Sequence, residues 1–83
     1  MEATQTYLTT YRLDGQTHEA KTQIHRQATN GDTRYQAIIK DSPLRGTFSA
    51  WASSVAEALD FLNLAMQAEG ADAIHFSESH GAR

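Results

Sequence analysis

Four histidines, ten carboxylates and a scatter of serines are the side chains here that could ligate a metal, move protons or attack a substrate, because the 83-residue chain contains no cysteine. Without cysteine there are no disulfides, thiolate nucleophiles, iron–sulfur clusters or cysteine-ligated zinc. A metal site needs ligands that converge. His18 and His25 are seven residues apart on what reads as one strand, so their side chains leave opposite faces of it, and His75 and His80 lie near a frayed end. Acid–base catalysis needs two titratable groups sharing a cleft. His18 and Glu19 are consecutive and point apart, while Asp41 sits in a loop with no evident partner. Ser53 and Ser54 are better explained by helix capping than by nucleophilic attack, and no Gly-x-Ser-x-Gly, Gly-x-Gly-x-x-Gly or Walker loop occurs. A chain of this length buries only roughly 60–65% of its unfolded surface, too little for a deep private pocket. The expectation is a protein that is not an enzyme and has no cofactor and no metal.

What remains is surface chemistry, and the charge is unevenly spread. The formal net charge is −3. Residues 1–45 hold six basic side chains against five acidic ones, whereas residues 46–83 hold Arg83 alone against Glu57, Asp60, Glu69, Asp72 and Glu78. That segregation suits a two-faced domain whose basic side meets an acidic partner or nucleic acid.

Two turns position the basic side chains. Asp14-Gly15 and Asn30-Gly31 are the dipeptides that best form two-residue hairpin turns, and the runs around them are rich in Thr, Tyr, Ile and Gln. Strands over 4–13, 16–29 and 32–41 follow, in an antiparallel meander. Counting back from the turns sets Leu13 against Gln16, Tyr11 against His18, Thr9 against Ala20, Tyr7 against Thr22, Thr29 against Asp32 and Ile24 against Ala37. One face then collects Tyr7, Tyr11, Leu13, Ala20, Ile24, Ala28, Tyr35, Ala37 and Ile39. The other is polar and carries Arg12, Lys21, Arg34 and Lys40 against Glu19, with Leu8 and Ile38 its large apolar members. Lys21 falls directly opposite Lys40, a like-charge pair that solvent tolerates or an anionic group offsets.

The second half supplies the cover. Ser54-Val55-Ala56-Glu57 has the Ser-x-x-Glu spacing of a capping box, Gly70 is placed to end the helix in a left-handed conformation, and the residues between are good helix formers. Val55, Ala58, Leu59, Leu62, Ala65 and Met66 form one stripe at 100° per residue, with Phe61, Leu64 and Ala68 on its flank. That arc is wider than one sheet contact requires. Either a loop folds over Phe61 and Leu64, or the helix side, with Glu57 and Asp60, is a surface for a partner or for a homodimer. Residues 71–79 alternate as a short last strand, and 79–83 read as a frayed tail. Asp41 to Gly46 is a loop, because Pro43 and Gly46 break both kinds of ladder. Thr47 to Trp51 reads as a brief edge strand, Phe48 and Trp51 closing one end of the core. The order β-β-β-α-β describes a single small α+β domain over 1–83, one helix packed on a three- to four-stranded antiparallel sheet. No apolar run approaches the ~18 residues of a membrane span, and the polar start is no signal peptide, so a cytoplasmic location with no membrane contact is expected.

Single-strand readers of nucleic acid stack bases on exposed aromatics. Here Tyr7, Tyr11 and Tyr35 all face inward and the domain is net acidic, so direct nucleic-acid binding through Arg12, Lys21, Arg34 and Lys40 stands behind protein binding. The stretch from Ile24 to Met66 resembles the antitoxin domain of the HicB family. The resemblance rests on Asn30-Gly31, Tyr35-Gln36-Ala37, the loop Asp41-Ser42-Pro43-Leu44-Arg45-Gly46, Ser49, and the helix start Ser54-Val55-Ala56-Glu57-Ala58-Leu59. The Pro43-to-Gly46 spacing is longer than the family's usual Pro-Gly. The resemblance implies the fold and a role in neutralising a partner protein by binding it; in that case the partner is a small basic RNA-cleaving toxin, met by the acidic helix side or by a sheet edge. The functional expectation is therefore a non-catalytic module that inhibits a partner protein by occluding its surface. The alternative is a phage-encoded inhibitor of a host nucleic-acid-handling defence complex.

Overall fold

Asp14, Gly15, Asn30 and Gly31 all take positive φ (54°, 77°, 52° and 82°), the backbone that a two-residue turn matching the strand twist requires. The computed structural model describes residues 3–40, 44 and 47–78. Its two turns join β1 (Ala3–Leu13), β2 (Gln16–Thr29) and β3 (Asp32–Lys40) in an antiparallel meander. The register is the one counted from the turns: Tyr11 lies opposite His18, Thr9 opposite Ala20, Ile24 opposite Ala37 and Lys21 opposite Lys40. The one irregularity between β1 and β2 falls between Ala3 and Gln5.

Helix α1 (Val55–Ala68) starts at Ser54, whose backbone is extended and whose Oγ accepts the Glu57 N–H at 3.1 Å. The Glu57 carboxylate reaches one residue further back than the capping-box spacing predicts: it accepts from the N–H and the hydroxyl of Ser53, each at 2.9 Å. At the other end Gly70 has φ 101°. Its N–H donates to Gln67 O, and the Ala71 N–H donates to Met66 O, satisfying two carbonyls the helix leaves open. The chain then enters β4 (Asp72–Glu78), which pairs antiparallel with β1. The sheet order is β3-β2-β1-β4, so β3 and β4 are opposite edges and the connection between them must traverse the sheet. Helix α1 does this over the inner face, burying Ala58, Leu62 and Met66 against Tyr11, Ile24, Ala37 and Ile39. The fold is the α+β β-β-β-α-β arrangement with four antiparallel strands and one helix.

Two threonines also belong to this core. Thr9 and Thr22 are fully buried, and their hydroxyls share a hydrogen bond of 2.6 Å, which is how two polar groups are kept inside at little cost. Tyr11 stacks on His18 with ring centroids 5.4 Å apart.

Three placements differ from the sequence reading. Ala28 shares the inner face by parity but is exposed. Strand β2 has 14 residues, roughly 46 Å at ~3.3 Å each, and α1 with 14 residues is only about 21 Å long, so the β2–β3 tip projects beyond its cover. Leu64 is not on the flank of the buried stripe: it lies about 200° round the helix from Leu62 and is 62% exposed. Phe48 and Trp51 do not close the core; they are 56% and 38% exposed. Their segment lines the outer edge of β3, with bridges from Ile38 to Phe48 and from Tyr35 to Ala52. Between the bridges Ser49 turns inward. Its N–H donates to Ala37 O and its Oγ accepts the Ala37 N–H, both at 2.8 Å. The ladder thereby takes in one extra residue, and the aromatics on either side are displaced outward. The loop breakers Pro43 and Gly46, and the tail 79–83, lie outside the described residues.

Candidate interaction surface

Alternation along the strands gives the sheet an outer face with no layer packed on it among the described residues. Across this face one row runs Lys40, Lys21, Leu8, Ser77 from β3 to β4, and the next runs Phe48, Ile38, Gln23, Thr6. Two lysines therefore stand beside Leu8, which is 43% exposed, half-buried Ile38, and exposed Phe48. Neither lysine is in an ion pair among the described residues. One row further on, the buried Nε2 of His25 has no hydrogen-bond partner among the described residues.

The other two basic candidates are already engaged. Arg12 makes a bidentate pair with Asp72, Nε to Oδ1 at 3.0 Å and Nη2 to Oδ2 at 2.9 Å. This pair ties β1 to β4 where their register shifts. Arg34 lies 3.9 Å from Asp32. Of Arg12, Lys21, Arg34 and Lys40, Lys21 and Lys40 are the two that lie directly opposite each other and, among the described residues, outside any ion pair.

The helix-side candidates Glu57, Asp60, Phe61 and Leu64 recur at i, i+3, i+4 and i+7 of α1 and so share one side of the helix. Glu57 is held at the surface by Ser53, Phe61 is half-buried against the core, and Asp60 and Leu64 are exposed. Phe48 and Trp51 are the surface residues the sequence reading put elsewhere. Their signal was the inward Ser49, whose effect on parity cannot be counted through a loop.

Two carboxyls on this scaffold titrate low. A hydrogen bond from Arg12 holds Asp72 below the ordinary aspartate range, and the Ser53 N–H, with its hydroxyl, holds Glu57 below the ordinary glutamate range. A carboxyl depressed in the folded state stabilises it fully above the unfolded titration range, and that contribution is lost as pH falls through the folded one. Unfolded Asp and Glu titrate near ~4. The wild-type urea midpoint is therefore expected to drop below about pH 5. An Asp72→Asn/Glu57→Gln variant should give a flatter curve between about pH 5 and 2. Parallel curves would contradict this assignment.

Among the described residues no three metal-ligating side chains converge. Clefts among the described residues include one of about 360 Å³ between α1 and β4, one of about 310 Å³ beside the β2–β3 turn and one of about 170 Å³ by Leu8 and Lys21. Among the described residues no helix is long and apolar enough to cross a membrane. No family model, curated protein or solved structure is found to match the chain.

Proposed function

We propose that this chain is a non-catalytic protein-binding module that inhibits its partner by laying the outer sheet face over the partner's working surface. The observation that carries this reading is the Lys21–Lys40 pair, two charges directly opposite each other, neither in an ion pair among the described residues, beside Leu8, Ile38 and Phe48. Like charges opposed across strands are unfavourable on their own. A partner offering carboxylates flanked by apolar side chains relieves the repulsion and buries the exposed rings. Phage inhibition of a nucleic-acid-handling defence complex is one setting for this act, and antitoxin-like neutralisation, in line with the HicB resemblance, is another where a basic toxin presents an acidic patch. The geometry favours a partner met through its acidic surface over one met through the helix side. A cytoplasmic site of action fits both settings.

A second reading has its own observation. Phe48 and Trp51 supply exposed aromatics along β3, next to Lys40 and Arg34, which a single-strand reader would use for stacking. Titration of labelled single- and double-stranded nucleic acid at two salt concentrations separates the two. On the protein-binding reading, nucleic-acid affinity is weak. Capture of the protein partner then falls at least ~tenfold in Lys21→Glu/Lys40→Glu, about 1.4 kcal/mol, and survives Asp60→Lys/Leu64→Asp. Tight, steeply salt-dependent binding of single strands, abolished by Trp51→Ala and by the lysine reversal, would instead establish nucleic acid as the ligand.

A further inference from the structure

The two edges of the sheet are finished differently. Along β3 the 47–52 segment supplies backbone partners to Tyr35, Ala37 and Ile39. Along β4 the outer edge has no backbone partner among the described residues. Proteins usually blunt such an edge with lysine, proline or a bulge. Here the bulge falls at the start of the strand, where Ala73 has φ 51° and the register with β1 shifts. Beyond it Ile74-His75-Phe76-Ser77-Glu78 is regular and contains no lysine, arginine or proline. Ile74 and Phe76 share the inner face and are only half-buried, and the cleft of about 360 Å³ between Asn63, Gln67 and Ile74 opens along the same edge.

We propose that β4 pairs antiparallel with β4 of a second copy of this chain, the two-fold axis passing at Phe76. The five-residue window is self-complementary in that register. Phe76 meets the partner's Phe76 on the inner face, a cross-strand aromatic pair. His75 meets the partner's Ser77 on the outer face, ring N–H to hydroxyl. Glu78, the one charged side chain in the window, lies across from the partner's Ile74 and meets no like charge. It is already held by the Gln5 amide at 2.9 Å. A two-fold axis perpendicular to the sheet joins two four-stranded sheets into one and keeps both helices on one side. Both lysine pairs then lie on the other side.

Sedimentation over roughly 1 µM to 1 mM, the range in which small interfaces dissociate, tests this. The wild type should dimerise. His75→Lys/Ser77→Lys sets lysine against lysine twice across the axis, on exposed positions that leave the core alone. It should move the dimerisation midpoint at least ~tenfold higher in concentration, with an unchanged circular dichroism spectrum. His75→Glu/Ser77→Lys opposes unlike charges and should stay dimeric. Because the chain has no cysteine, mixed His75→Cys and Ser77→Cys chains should cross-link on mild oxidation, their Cα atoms being within disulfide reach when directly opposed. A monomer throughout the range, a dimer indifferent to the double lysine variant, or failure of the mixture to cross-link would each overturn the proposal. Lys21→Glu/Lys40→Glu should leave self-association untouched, so a failure of the partner-binding reading would not register in this experiment.

Discussion

Leu62→Ala should cost about 2–5 kcal/mol of stability, while Leu64→Ala should cost less than about 0.5 kcal/mol. The two leucines are two residues apart on the same α-helix. They differ because the helix turns about 200° between them, so that Leu62 is fully buried and Leu64 is 62% exposed. Alanine at 62 forfeits the transfer of the leucine side chain out of water and leaves a void among Ala58, Met66 and the inner face of the sheet, which close packing fills only in part. At 83 residues the whole fold is stabilised by roughly 4–12 kcal/mol. The Leu62 variant thus gives up a large share of the total. Each kcal/mol lowers Tm by roughly 4–8 °C at this size. Thermal unfolding followed by far-ultraviolet circular dichroism should therefore show a drop of at least about 8 °C for Leu62→Ala and a much smaller one for Leu64→Ala. Equal drops would mean that Leu64 is covered in solution, which would restore the helix side as an interface.

Leu64 was legible in the sequence and was misread, since periodicity alone turns it away from Leu62. Its apolar character pulled it toward the buried stripe. The turns were read correctly, because Asp-Gly and Asn-Gly demand positive φ and a two-residue turn fixes every pairing behind it. Ser54 and Gly70 marked the helix ends for the same kind of reason: both requirements are local. What the sequence leaves open is of another kind. That β4 joins β1 rather than β3 depends on how far the helix carries the chain across the sheet, and Ile74 and Phe76 face inward either way. Arg12 and Asp72 are 60 residues apart, and nothing near Arg12 shows that its charge is already taken. The candidate surface was half legible on the same grounds. Lys21 opposite Lys40 followed from the turns, but Phe48 reaches their face through a loop and past the extra residue at Ser49.

Ser49→Ala should cost about 1–3 kcal/mol, a large effect for the loss of one oxygen. Ser49 is 1% exposed and Ala37 is fully buried. The Ala37 N–H donates to Ser49 Oγ at 2.8 Å, and that hydroxyl in turn donates to Ala50 O at 2.9 Å. Alanine removes the acceptor and leaves a backbone N–H buried without a partner, which costs the desolvation of the group and not merely the net worth of one bond. The Ser49 N–H still reaches Ala37 O, and the Gln36 amide still donates to Ser49 O at 3.1 Å. The segment should therefore stay on the β3 edge but be held less firmly. Amide hydrogen exchange resolves this: the Ala37 N–H should exchange much faster in the variant, while Ile24 and Thr22 on the neighbouring strand keep their protection until global unfolding. Because Phe48 belongs to the same segment and stands beside Lys40 and Ile38, loosening that segment should also weaken whatever binds the outer face, without altering any residue on it. A Ser49→Ala protein with full stability and a protected Ala37 amide would show that the serine's inward turn is not what holds this edge closed.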